Sequence, residues 1–266
     1  MHNLATAWSR EPWPDRRAER VRLLSVIVPV KDEGPNILPL IAEIRAALGG
    51  RDFEIVYVDD GSSDDTPLRL EEARQAGAPL KRRRHLKSCG QSAAIVTGVR
   101  AASGAWIATL DGDGQNDPAD IGRLLDRAIA EERRSPRPIL VNGQRRERQD
   151  TAVKRLASRA ANLVRASLLG DGTPDAGCGI KVFRRDAFLD LPHFDHMHRF
   201  MPALFLRGGG RVISVPVNHR PRRSGRSKYG TLDRLAVGIF DLVGVLWLQR
   251  RWRRPQVEDP DLVEAP

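Results

Sequence analysis

Cysteine is nearly missing from this chain of 266 residues: Cys89 and Cys178 stand far apart, with no C-x-x-C pair. That argues against a disulfide framework and for a reducing compartment. Both cysteines adjoin glycines and read as small packing residues. Aromatic residues are only 5% of the chain, and no nucleic-acid-binding motif is present, so a nucleic-acid partner is not expected. A membrane-spanning run is missing too. The apolar stretch 235–248 has fourteen residues and includes Asp241, whereas a bilayer span needs about twenty. There is no N-x-[ST] site, and the first twenty residues are polar and arginine-rich without a signal-peptide pattern, so the expected side is cytoplasmic. P-loop, G-x-G-x-x-G, H-E-x-x-H and G-x-S-x-G motifs do not occur, which leaves NTPase, dehydrogenase, zincin and hydrolase readings unsupported.

What the chain has in excess is positive charge. Lys and Arg number 44 against 34 Asp and Glu, a formal net charge of +10. The excess is clustered in "KRRRHLK" (81–87), "RRER" (145–148), "RPRRSGRSK" (220–228) and "RRWRR" (250–254). Any one cluster reads as a solvated surface. Four together point, on charge alone, to an anionic partner: nucleic acid, phosphorylated small molecules or acidic lipid.

Continuous β-branched runs alternate with helical periodicity from residue 23 onward. "LLSVIVPV" (23–30), "FEIVYVDD" (53–60), "PLKRRRHL", "AWIATLD" and "PILVNG" (138–143) read as strands. Residues 35–48, 64–77 and 90–103 read as helices, and Asp117 with Pro118 marks the start of another. The alternation predicts an α/β fold with a mainly parallel sheet flanked by helices, whose ligands collect beyond the carboxyl ends of the strands. After residue 150 the expectation is a helix at 151–169, a Gly-rich turn, strand "KVF", a helix near 199–207, strand "RVISVPV", a basic loop and a last helix from about 231. The expected organisation is a basic arm (1–22), one catalytic domain (23–230), an amphipathic interfacial helix with a basic end (231–254) and a flexible tail (255–266).

The strand ends are acidic. In "DGDGQNDP" the Asp111 and Asp113 side chains lie two residues apart, on the same side of an extended chain. The calcium-loop spacing fails at Asn116 and Gly122, where that loop needs Gly and Glu. Asp111, Asp113 and the Gln115 amide oxygen are hard donors suited to Mg2+ or Mn2+. On this segment alone, a Gly/Asp turn whose carboxylates cap backbone is equally well supported. In "VDDGSSDDT", Ser62, Asp64 and Thr66 read as ordinary turn and cap residues, while Asp60 at a strand end can accept bonds from a ribose or base. "VPVKDEGPN" puts Pro29, Val30 and Glu33 on the same rim.

Five stretches in order, "SVIVPVKDEGPNI", "FEIVYVDDGSSDDT", "GQSAAIVTGVRAASGAWIATLDGDGQNDP", "GIKVFRRDAF" and "RSGRSKYG", resemble the family-2 glycosyltransferases. They are most similar to those that load sugars onto dolichyl or polyprenyl phosphate. The resemblance covers about residues 23–230. It implies a GT-A fold, a nucleotide-sugar donor, a divalent ion, a polyprenyl-phosphate acceptor and inversion at the anomeric carbon. Pro29, Val30, Glu33 and Asp60, with Asp59, Gly90 and Gln91, would hold the donor. Asp111, Asp113 and Gln115 would hold metal and diphosphate. His198 and Arg199 would lie near the acceptor phosphate. The chain departs from the family pattern at Lys31, Asp32, Ser88 and Ile180–Lys181; Lys181 keeps a cation but loses the arginine fork.

The loop "HRPRRSGRSKYG" fits this chemistry on its own terms. Arg223, Arg226, Ser227 and Lys228 offer donors on a glycine-hinged loop that could wrap a diphosphate and an acceptor phosphate, and Tyr229 would pack or stack. The histidines of "LPHFDHMHRF" match no usual zinc spacing and read as helix-end residues beside Asp195. Asp175 reads equally as a turn residue or as a group that orients substrate. The last helix, with Trp247 and Trp252 and its trailing arginines, reads as lying in a membrane interface; the bland reading is a core helix. The expected reaction is metal-dependent transfer from GDP-mannose or a UDP-sugar to polyprenyl or dolichyl phosphate. The rival expectation is a family-2 enzyme using a soluble or polysaccharide acceptor in cell-envelope glycan synthesis.

Overall fold

The structure, a computed structural model, describes residues 24–145, 165–221 and 231–251, with backbone alone for 231–237. Seven strands, β1 (Leu24–Val30), β2 (Phe53–Asp59), β3 (Leu80–Arg84), β4 (Trp106–Thr109), β5 (Ile139–Arg145), β6 (Lys181–Arg184) and β7 (Arg211–Val217), form one sheet in the order β3-β2-β1-β4-β6-β5-β7. The first four run parallel. β6 is antiparallel to β4 and β5, and β7 is parallel to β5. The helices are α1 (Gly34–Leu48), α2 (Thr66–Gln75), α3 (Gln91–Ala101), α4 (Ala119–Arg134), α5 (Arg185–Leu189), α6 (Met201–Arg207) and α7 (Thr231–Arg250).

The β-branched runs fill two cores at once because successive side chains leave a strand on opposite faces. Val26, Val28 and Tyr57 pack with Ile37, Ile44, Leu124 and Leu125 of α1 and α4. Ile27, Val56 and Val58 pack with Ile95 and Val99 of α3 and with Phe183, Phe188 and Leu204. Helices therefore cover both faces, as the alternation predicts.

β3 is an edge strand, and its charges suit it to that position. Lys81 pairs with Glu54, Arg82 with Glu71 and Arg84 with Asp59. The "KRRRHLK" cluster thus takes the bland reading over much of its length. The helix after "DGDGQNDP" starts at Ala119, slightly later than the sequence suggests, and Asp117 accepts the Ala119 N–H at 3.0 Å.

α7 is twenty residues long, longer than its apolar run. One side docks: Val245 is buried, Leu242 and Leu246 pack on the α3-side core, and Gln249 donates to the Leu169 carbonyl. Ile239, Phe240, Val243 and Trp247 are exposed. The docked side is that of a core helix, and the exposed side is apolar. Among the described residues, no helix is long and apolar enough to cross a membrane.

Candidate active site

The parallel strands β2, β1 and β4 bring both acidic pairs to one edge of the sheet. The Asp60 N–H bonds to the Val30 carbonyl at 2.8 Å, and the Leu110 N–H to the Ile27 carbonyl at 3.0 Å. Gly112, between the two aspartates, packs on Pro29 and Val30 so closely that a Cβ there would overlap the Val30 side chain. Pro29, Val30, Asp111 and Asp113 therefore share one neighbourhood.

The β1 and β2 ends are stitched together by small polar residues. Asp32, in the left-handed region at φ 51°, gives its N–H to Ser62 Oγ and accepts the Ser63 N–H at 2.7 Å. Asp is among the few residues besides Gly that tolerate this conformation. The Glu33 N–H goes to Thr66 Oγ1, the Gly34 N–H to Asp64, and Glu33 Oε2 accepts from Asn36 at 2.6 Å. Ser62, Asp64 and Thr66 thus serve as structural ties.

Asp59 is buried, accepts the Ser62 N–H at 2.8 Å and faces Arg84. Asp60 is the centre of a knot. Its Oδ1 takes His85 Nδ1 and the Cys89 N–H, both at 2.7 Å; its Oδ2 takes Ser88 Oγ at 2.7 Å and the Gly90 N–H at 2.9 Å. Burial alone would raise its pKa, but these donors hold it below the ordinary carboxylate value. Asp60, His85 and Cys89 each bring one possible ligand atom within 4.8 Å of the others, yet both Asp60 oxygens are already taken. Gly90, at φ 89°, turns this loop into α3. Cys89 is exposed, against the expectation that it packs; Cys178 is buried as expected.

Asp111 follows β4 and opens on a cavity of about 530 Å³. Gln91 Nε2, in the first turn of α3, donates to Asp111 Oδ1 at 2.8 Å. Gly179 lies against the same carboxylate where any Cβ would overlap it, and Thr109 Oγ1 bonds to the Gly179 carbonyl at 2.6 Å. The protein crowded round Asp111 pushes its pKa up to about 6, and the charge of Asp113 adds to that; Lys181, Arg145 and Gln91 pull it back. Two carboxylates in this state, with oxygen donors, fit a divalent cation, which would relieve their repulsion.

Lys181 lies on β6 between Thr109 of β4 and Asn142 of β5. It is buried, bonds to the Cys178 carbonyl, and its pKa is lowered, mainly by burial. On the far wall, His198 Nδ1 lies 2.7 Å from Ser92 Oγ, which also accepts the His198 backbone N–H at 3.2 Å. Burial keeps His198 well below its ordinary pKa, hence neutral at pH 7. Arg199, Phe200 and Met201 continue the wall, and Gly238, Ile239 and Leu242 of α7 complete it.

Several contributors escape sequence reading. Arg145 makes a paired bond to Asp175, Nε to Oδ2 and Nη2 to Oδ1, both at 2.7 Å. Asp175 is therefore tied to Arg145. Arg220 gives its N–H to the Gln115 carbonyl at 2.8 Å and its side chain to Asp117 and Glu43, and Asn116 bridges to His219. The Gln115 N–H goes to Asp113 at 3.1 Å. The basic loop thus starts beside the acidic turn. Arg223, Arg226, Ser227, Lys228 and Tyr229 lie outside the described residues, as does Trp252.

Residues 25–191, which carry both acidic pairs and the Gly179 turn, match the family model described as glycosyl transferase family 2. The chain is 32% identical to the dodecaprenyl-phosphate galacturonate synthase of Rhizobium johnstonii, over 87% of this chain and 69% of that one. It is 35% identical to the undecaprenyl-phosphate 4-deoxy-4-formamido-L-arabinose transferase of an Enterobacter species, over 86% and 69%. Among solved structures it resembles glucosyl-3-phosphoglycerate synthase from Mycobacterium tuberculosis, solved with Mn2+ and UDP-glucose: TM-score 0.61 and 21% identity, over 91% of this chain and 86% of that one. That likeness shows the fold alone. By the match over residues 25–191 and by relatives above 30% identity, this chain belongs to glycosyl transferase family 2.

Proposed function

We propose that this enzyme transfers a sugar from a nucleotide-diphosphate sugar to a polyprenyl phosphate, working as a peripheral protein on the cytoplasmic face of a membrane. The observation that carries the reading is the cavity: it starts at Asp111 and ends on α7, whose outer side is apolar and exposed. A lipid headgroup could reach the acidic rim from the helix while its chain stays on apolar surface. The two relatives named for polyprenyl-phosphate products support the same acceptor.

In this reading Asp111, Asp113 and Gln115 hold the cation, Mg2+ or Mn2+, against the donor diphosphate. When bound, it supplies positive charge to the leaving group as charge develops there. Gln91 fixes the orientation of Asp111, and Gly179 leaves room for it. Pro29, Val30, Glu33 and Asp59 line the donor side. Asp60, filled by four donors, shapes the loop that ends at Gly90. Lys181 offsets the Asp111 charge from behind. His198 presents its imidazole and Arg199 its guanidinium toward the acceptor phosphate. Arg223, Arg226, Ser227 and Lys228 would wrap both phosphates from the loop that starts at Arg220. The acceptor phosphate, with a second pKa of about 6, is largely ionised at neutral pH, so no strong base is required.

The test is to incubate the purified protein with Mn2+, a short-chain polyprenyl phosphate and a panel of UDP- and GDP-sugars, reading lipid products by mass spectrometry. A lipid-phosphate sugar is the expected product. Transfer to a soluble sugar acceptor alone would overturn the lipid assignment in favour of the rival family-2 activity.

A further inference from the structure

Asp241 is the only ionisable residue in the apolar run 235–248. A carboxylate in a helix whose outer side is built for an apolar environment needs a partner. What faces it is His196: Asp241 Oδ2 lies 3.1 Å from His196 Nδ1, a charge contact in which Oδ2 accepts no hydrogen bond, and only 19% of the Asp241 side chain is exposed. His196 is itself specialised. It holds the left-handed conformation at φ 60°, takes a bond from its own N–H to Asp195 Oδ1, and accepts the Arg199 N–H at 3.0 Å. Its backbone therefore sets the turn that presents His198, Arg199 and Phe200.

Those three residues form one wall of the cavity beside Asp111, and Gly238, Ile239 and Leu242, which bracket Asp241, form another. The Asp241–His196 contact joins the two walls at their rim. Among the described residues, two hydrogen bonds tie the far end of the helix to other elements, Arg207 Nε donating to the Leu248 carbonyl and Gln249 Nε2 donating to the Leu169 carbonyl; both lie about two turns away from that contact.

We infer that Asp241 is a positioning residue: through His196 it holds α7 as the lipid-side wall of the cavity, so that the helix seated on the membrane and the Asp111 site stay in register. The inference rests on the polyprenyl-phosphate reading and deepens it. It separates two tasks on one helix. Membrane affinity belongs to Ile239, Phe240, Val243 and Trp247, whereas acceptor alignment belongs to Asp241.

Asp241→Leu separates the tasks, because it makes the helix more apolar while removing the contact. We expect vesicle binding as strong as that of the unaltered protein or stronger, an acceptor KM raised at least about fivefold, and an unchanged donor KM. His196→Gln should raise the acceptor KM similarly, and the double variant should add little, as for two residues acting through one contact. Backbone hydrogen exchange across 238–248 should quicken in each variant. An unchanged acceptor KM, or donor and acceptor KM rising together with a lowered melting point, would overturn the assignment. If the unaltered protein makes no lipid-linked sugar from any donor, the functional reading fails instead. The exchange measurement still decides the contact: unaltered protection of α7 in both variants would sink it.

Discussion

Gly179 sits directly under the Asp111 carboxylate, at a distance no residue with a Cβ could keep. The turn "GCGIK" and the turn "DGDG" come from distant parts of the chain, and the antiparallel pairing of β4 with β6 sets them against each other. Gly179→Ala must displace Asp111 or the turn itself. Overpacking of this kind costs about 1–3 kcal/mol. The expected outcome is a modestly lowered melting point with donor binding lost, read by calorimetry and by titration with a nucleotide diphosphate and Mn2+. Donor affinity within twofold of the unaltered protein would contradict it.

Asp111 binds a proton with a pKa of about 6 in the metal-free fold. A cation and that proton compete, so affinity for Mn2+ should fall as pH drops through about 6, approaching tenfold per unit below it. The stability of the metal-free protein runs the other way. A folded-state pKa raised above the unfolded value stabilises the fold at low pH, and that contribution is lost as pH rises through about 6. Asp113→Asn removes the like charge, so the Asp111 pKa should move down while Mn2+ affinity drops. Isothermal titration between pH 5 and 8 checks both.

Asp60 carries a structural load. Asp60→Ala leaves the Cys89 and Gly90 N–H groups without their acceptor, which costs at least about 2 kcal/mol. Its pKa is lowered in the fold, so its stabilisation is present above the ordinary carboxylate range and is lost as pH falls through the lowered value. Urea melts at pH 7 should show the loss, and the gap between variant and unaltered protein should shrink in acid.

The exposed side of α7 predicts a lipid contact. Phe240→Ser together with Trp247→Ser removes two large apolar side chains, each worth about 1.5 kcal/mol or more when buried. Partition onto anionic vesicles should weaken about 100-fold, since each 1.4 kcal/mol is tenfold. Sedimentation with vesicles measures it; turnover of a short-chain acceptor in detergent should change much less.

The strand and helix pattern was legible because burial dictates composition. "LLSVIVPV" and "FEIVYVDD" could satisfy two covered faces only as central parallel strands, and β1 and β2 are central. The acidic turns were legible for the same reason: carboxylates directly after buried strands must sit at the rim. The sequence could not show that Asp60 is saturated. Its partners His85, Ser88, Cys89 and Gly90 lie 25 to 30 residues away, and composition carries no record of where a loop folds back.

Periodicity by itself determined the α/β class, and five motifs in order carried the resemblance to the family and, with it, the expectation that Asp111 and Asp113 stand at the site. All of these follow from local patterns. Only the tertiary structure decided which groups meet across the sheet: Gly179 under Asp111, Arg145 on Asp175, Arg220 beside Gln115, and His196 against Asp241. Each contact joins segments that are neighbours only because β6 inserts antiparallel between β4 and β5, or because α7 packs back on the α3 side. Position along the chain does not encode that closeness; the burial of both sheet faces enforces it.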